Sequence, residues 1–210
     1  MALSLAALMT VVLYPKSTFK AIKDRTSMLD GIILYIILTS LSFIITIILP
    51  MRTLSGVSSE LIIGFFLGLI IGSIILIIMA FLAAKIATLL SKKGSYNLGK
   101  TVGFIGYGHA VSVVMSAIFI LILSFAVSST SISSPRTFIP NMTIVLGLIG
   151  FIWSVYVNGS GVSIANEVGL GVGIISYLIV AIIMILVLLG ILAAILSIGI
   201  STWTATTMFF

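Results

Sequence analysis

His109, Ser112 and Ser116 stand at i, i+3 and i+7 in one apolar stretch, with Tyr107 just ahead of them. A helix there lines up an imidazole and two hydroxyls along one face. In hydrocarbon such a stripe has two uses: to pass a proton or polar solute, or to hydrogen-bond a neighbouring helix. Ion coupling usually needs ionisable groups inside the membrane, yet the four acids Asp24, Asp30, Glu60 and Glu167 all fall at the ends of apolar runs or between them. The stripe is therefore assigned to interhelical contact, with a solute path at His109 as the alternative. A second candidate is Ser160, glycine-flanked in Asn158-Gly159-Ser160-Gly161. A nucleophile needs a base within hydrogen-bond reach, and the single histidine lies far upstream in another run. Gly-Ser-Gly is also ordinary chemistry after a helix end, so Ser160 is expected in or beside an interfacial loop. Gly169, Gly171 and Gly173 follow no strand and precede no Lys-Ser/Thr pair, which excludes a phosphate loop and leaves a flexible lead into the next helix. One histidine and four scattered acids make no metal set, and with no cysteine there is no disulfide, thiolate or iron–sulfur chemistry. No catalysis, cofactor or metal is expected.

The elements that must position these residues are set by composition. Of 210 residues 61% are apolar and 7% charged, with a mean hydropathy of +1.44, whereas about 25% of a soluble domain is charged. The solvent is a bilayer. A hydrocarbon core takes roughly 20 helical residues to cross, and five stretches approach that: about 30–49, 61–90, 102–127, 142–158 and 174–200. The chain is expected to be an all-α integral membrane protein of five transmembrane helices. Residues 1–29 form a basic interfacial amphipathic segment, 30–200 the membrane domain, and 201–210 a short outer tail with Trp203 at the headgroups.

Charge orients it. Lys16, Lys20, Lys23 and Arg25 precede the first span, Lys85, Lys92, Lys93 and Lys100 surround the second turn, and Arg52 and Arg136 are left for the other side. The positive-inside rule then puts the N-terminus in the cytoplasm and, with five spans, the C-terminus outside. The net charge of +6 sits beside spans rather than on a folded face with aromatics, so anionic lipid headgroups are the expected partner and nucleic acid is not.

Hydrophobicity cannot drive helices together in lipid, so close backbone approach must. Gly64, Gly68 and Gly72 form a ridge at four-residue spacing on the second span, and Gly190 and Ala194 form a pair on the fifth. Packing within the chain is the expected use, homo-oligomerisation or a membrane-protein partner the alternative, and bulk at Gly68 is expected to be harmful.

Three stretches carry a family resemblance: LYPKSTFKAIKD, a proline followed by a basic helix; KKGSYNLGKTVGFIGY, a polar turn leading to the pair Gly106-Tyr107; and IWSVYVNGSGVS, a tryptophan helix ending in glycines. Over about residues 10–190 the chain resembles the Yip domain family, five-span membrane proteins named for interaction with Ypt/Rab GTPases, and in particular its prokaryotic members. It departs from the pattern in lacking a proline shortly after Gly106-Tyr107 and a basic residue in NEVGLGVG. The long soluble N-terminal region of eukaryotic members has no counterpart in these residues. Asn158 to Gly161 also resembles part of the rhomboid protease motif GxSG, with asparagine in the first place.

The family resemblance implies a non-enzymatic role in membrane trafficking and a prokaryotic plasma membrane as location. The expected function is a membrane-organising scaffold, with Lys16, Lys20, Lys23, Arg25, Lys92, Lys93 and Lys100 as one cytoplasmic contact surface. Two alternatives stand beside it: a small-solute or lipid transporter with a path near His109, and an accessory subunit of a larger membrane complex.

Overall fold

A computed structural model describes the backbone of residues 5–45, 58–92, 94–128 and 135–207, and within it the side chains of 8, 10–45, 58–92, 94–122 and 142–194. The elements among the described residues are all helices, with no strand: α1 (Leu5–Leu13), α2 (Pro15–Ile22), α3 (Met28–Phe43), α4 (Ser59–Ser91), α5 (Leu98–Gly108), α6 (Ala110–Ser128), α7 (Pro135–Ala165) and α8 (Leu170–Thr207). Where five spans are expected, four stretches are long and apolar enough to cross a membrane: Ser59–Ser91, Leu98–Ile122, Met142–Ala165 and Leu170–Ala194. α3 is apolar but shorter, and the rest of the expected first span, from residue 46, lies outside the described residues.

Local chemistry sets the helix starts. Pro15 supplies a first turn for α2. Ser27 and Asp30 form a capping box: the Ser27 hydroxyl accepts the Asp30 N–H at 3.2 Å, and the Asp30 carboxylate accepts the Ser27 N–H at 3.0 Å. Asp30 is thus inside α3 as a cap rather than at its border. The Ser58 hydroxyl caps α4 and the Asn97 side chain caps α5, accepting the Lys100 N–H at 3.0 Å. α4 stops where Lys92 turns left-handed at φ 43°.

α5 lies at the centre, buried from Thr101 to Gly108. Its Val102 and Ile105 join one apolar cluster with Leu76, Ala80 and Ala83 of α4 and Val180 of α8. Its Phe104 and Tyr107 join another with Val11, Phe19 and Leu34. Glycine lets α3 reach this helix, since a Cβ on Gly31 would lie 2.6 Å from Gly103 Cα. α7 and α8 cross in the same way, with a Cβ on Gly159 falling 2.5 Å from Ile174 Cα. Between α5 and α6 the helical ladder is interrupted at His109, whose N–H returns to the Gly106 carbonyl at 3.2 Å and whose carbonyl receives the Ser112 N–H at 3.0 Å. The interruption follows Gly106-Tyr107 without the proline.

Three expectations are corrected. α7 does not end at Asn158 but continues through Asn158-Gly159-Ser160-Gly161 to Ala165; Ser160 is fully buried in mid-helix, its hydroxyl donating to the Tyr156 carbonyl at 2.8 Å. Gly171 and Gly173 belong to α8, and Gly173 is pressed against Gly159 and Ser163 rather than supplying a flexible lead. α8 runs to Thr207, taking in most of the expected tail.

Candidate functional site

Lys16, Lys20, Lys23, Arg25 and Lys100 come together at one end of the bundle, where α2, the start of α5, the end of α7 and the start of α8 meet. The joint there is Asn166, fully buried in the turn after α7. Its side-chain amide donates to Thr101 Oγ1 and to the Val162 carbonyl, both at 2.9 Å, and its Oδ1 accepts the Asn97 N–H at 2.9 Å. Its own carbonyl accepts the Ser95 N–H at 2.8 Å. The turn 94–97 before α5 is therefore held by the turn after α7. The next residue, Glu167, is left-handed at φ 55°, and the Ser163 hydroxyl closes the turn by donating to the Val168 carbonyl at 2.7 Å.

Around this joint the two basic clusters are tied to acids of other segments. Lys23 Nζ donates to Glu167 Oε1 at 2.6 Å, and Lys100 Nζ lies 3.5 Å from Asp24. The Lys23 hydrogen bond and charge hold the Glu167 carboxyl below the ordinary carboxylate range. Lys85 lies over the Tyr96 ring, 5.4 Å from its centroid. Lys16, Lys20, Arg25 and Lys92 are exposed, and among the described residues none of them pairs with a carboxylate. Lys93 lies outside the described residues. α2 does not lie free on a lipid surface with its apolar face down. Phe19 is fully buried, its ring 4.7 Å from that of Phe104, and Pro15 and Thr18 are buried beside it. Only the lysine face of α2 is open. Behind it, α1 is held by Trp153 of α7, whose indole N–H donates to the Val12 carbonyl at 2.9 Å.

The polar stripe is split by the break at His109. The His109 ring meets Tyr35 edge-on at 4.6 Å and its Nδ1 is 3.4 Å from the Ile105 carbonyl. Ser112 donates back to the His109 carbonyl at 2.7 Å, and Ser116 shares a 2.7 Å hydrogen bond with Ser42 of α3. Tyr107 is buried in the core. A groove of about 480 Å³ between α6 and α7 is lined by Ser112, Ser116, Thr143, Ser154 and otherwise apolar residues, and His109 is not among its lining residues. The histidine and the serines thus serve different surfaces. Ser116, by a hydrogen bond, and His109, by its ring, each touch α3.

Among the described residues the glycine ridge packs within the chain at one position only. Gly72 abuts the Tyr35 side chain, whereas a Cβ on Gly64, Gly68 or Gly190 would meet nothing within 4 Å, and Ala194 is exposed. The close crossings use Gly31, Gly103, Gly106, Gly159 and Gly173 instead.

The three stretches that pack on one another at this end are α2, the turn 94–97 with α5, and the second half of α7. The model of the Yip1 domain matches residues 9–195, from α1 into α8. The chain belongs to the Yip1 domain family. No curated protein and no solved structure matches it. In this Yip1 domain the Gly106-Tyr107 pair does two jobs: Gly106 admits Gly31 of α3 against α5, and Tyr107 fills the space beside it. The tryptophan helix places Trp153 on α1, Asn158 against Gly108, and Gly161 where a Cβ would lie 2.7 Å from Phe104 Cβ. The Yip1 domain is a multi-pass integral membrane unit. Sequence reasoning missed Asn166 and Asn97, which join the two turns, and the contact of Asn158 with Gly108, where the Asn158 Oδ1 is buried without a hydrogen-bond partner among the described residues. The signal available for them was their position beside glycine turns and apolar helix ends.

Proposed function

We propose that this protein is a non-catalytic membrane scaffold. Its basic end faces the cytoplasm and contacts anionic headgroups and membrane or peripheral partners. α3 completes a five-span unit, with the C-terminus on the far side. The single observation that carries the reading is the union of the two basic clusters on one rigid surface. Asp24 and Glu167 are consumed by Lys100 and Lys23, while Lys16, Lys20, Arg25 and Lys92 remain open. Such a patch is worth about 1 kcal/mol per basic residue at an anionic leaflet. Yip1 membership supports a trafficking-like or membrane-organising role over catalysis.

The test of function is copurification in mild detergent, comparing the wild type with a variant in which Lys16, Lys20, Arg25 and Lys92 are all changed to Glu. The expected result is a stoichiometric partner or retained anionic lipid that the variant loses; equal retention overturns the reading. Orientation is tested separately, because the chain has no native cysteine to confuse thiol labelling. Lys92→Cys should react with an impermeant maleimide only in inverted vesicles and Thr207→Cys only in right-side-out vesicles. Labelling of both from one side overturns the odd span count.

A further inference from the structure

We infer that the recess between α2 and the α7–α8 turn binds the phosphate headgroup of an anionic phospholipid. This rests on the reading that the basic end meets a charged leaflet, and it narrows that surface to one site. Lys16 and Lys20 in α2 and Lys23 at its C-cap, still in helical conformation, lie at i, i+4 and i+7, so their side chains leave one face of the helix. The opposite face is locked into the bundle by Phe19, which fixes where the three ammonium groups can reach. They wall a recess of about 380 Å³ whose other side is Ser163, Glu167 and Leu170. The local balance is three ammonium groups against one carboxylate. Glu167 is ion-paired with Lys23, at 2.6 Å, and among the described residues neither Lys16 nor Lys20 is paired with a carboxylate, which leaves them to a ligand.

The far wall adds to the attraction. α8 begins at Leu170 with no acidic residue in its first turn, and the carboxylate that lines the recess beside it, Glu167, is held by Lys23. Gly169 and Gly171 leave the backbone bare on either side. What selects a lipid over a soluble phosphate is the neighbouring surface. Lys16 and Lys20 also border an adjoining groove of about 330 Å³ made by Leu13, Tyr14 and Tyr156. Leu13 and Tyr14 are each 66% exposed. A phosphate in the recess therefore has an apolar strip beside it, where the glycerol and the start of an acyl chain can lie. A soluble anion makes no use of that strip.

The test uses the purified full chain in mild detergent, with dioleoyl phosphatidylglycerol titrated and bound lipid counted by native mass spectrometry. Lys16→Gln with Lys20→Gln should weaken binding by about 10–30-fold, as expected for two headgroup contacts. Arg25→Gln with Lys92→Gln removes the same charge from the same end, but neither residue lines the recess, so it should cost less than about threefold. Glu167→Gln should tighten binding, since it frees Lys23. Equal losses in the two double variants refute the recess and leave the wider reading of the basic end standing; no loss in either refutes both. Equal binding of dioleoyl phosphatidylcholine, or equal protection by inorganic phosphate, overturns the assignment to an anionic lipid.

Discussion

Replacing Asn166 by alanine should cost about 2–4 kcal/mol of stability, more than any exposed charge on the same end. The side chain makes three hydrogen bonds, to Thr101 Oγ1, the Val162 carbonyl and the Asn97 N–H, from a position with no solvent exposure. Truncation leaves the Asn97 N–H without its acceptor, worth about 1–3 kcal/mol for a buried donor, and removes two further bonds at about 1 kcal/mol net each. The threonine partly compensates, because its hydroxyl still donates to the Asn97 carbonyl at 2.7 Å. Asn166→Asp separates these contributions. It keeps an acceptor for Asn97 but loses both donors and places a carboxylate against the Val162 carbonyl, so it should be at least as harmful as alanine. The assay is reversible unfolding in mixed micelles, followed by circular dichroism, with Lys16→Gln as the control. If Asn166→Ala falls within about 0.5 kcal/mol of the wild type, the turn is not held by this side chain and the reasoning fails.

Small-residue positions should divide sharply. Gly106→Ala places a Cβ into the Gly31 backbone and should destabilise by about 1–3 kcal/mol or prevent folding, whereas Gly68→Ala should lie within about 0.5 kcal/mol of the wild type in the same unfolding assay. The Lys23–Glu167 pair gives a pH signature. The folded-state pKa of Glu167 is depressed, so its contribution is present above the ordinary value of 4.5 and is lost as pH falls through the lower folded value. The stability difference between wild type and Glu167→Gln should therefore shrink on acidification below about pH 4.5 and stay level above it. Ser27→Ala removes half of the α3 capping box and should cost about 1 kcal/mol. Trp153→Phe removes the indole donor that holds Val12, and limited proteolysis should then release α1 sooner than in the wild type.

The sequence is legible where the bilayer itself imposes the signal. The apolar run from Glu60 and its end in the basic turn reappear as α4, because uninterrupted hydrocarbon leaves no other structure for the backbone. The two basic clusters meet at one end, since positive charge cannot be spread along a span. What sequence could not resolve is which small residues touch protein. Gly64-x-x-x-Gly68 and Gly103-x-x-Gly106 look alike on paper, and in lipid no amphipathic period marks the buried face, because protein and acyl chains are equally apolar. Among the described residues only the second pair meets another backbone. Asn158 and Ser160 were misread for a related reason. Asn-Gly-Ser-Gly breaks a helix in water, but within α7 the amide of Asn158 and the hydroxyl of Ser160 bond to carbonyls four residues back, and the glycines make room for α5 and α8. Asn166 sits in NEVGLGVG, a stretch that reads as a loop, and its contacts lie 65 and 69 residues away.

Those separations have a consequence for how the protein is made. The N-terminal segment finds its partners late: Trp153 holds Val12 across 141 residues, and Glu167 meets Lys23 across 144. The turn before α5 likewise lacks its Asn166 clasp until the end of α7 has been synthesised. At about 5–20 residues per second, the interval between Phe19 leaving the ribosome and α7 following it is of the order of ten seconds. Until α5 follows, the Phe19 face of α2 lacks Phe104, and until α7 follows it lacks the rest of its cover. The contacts of α1 and α2 with α7 therefore become available only after more than half of the chain has been made, whatever order the helices then pack in.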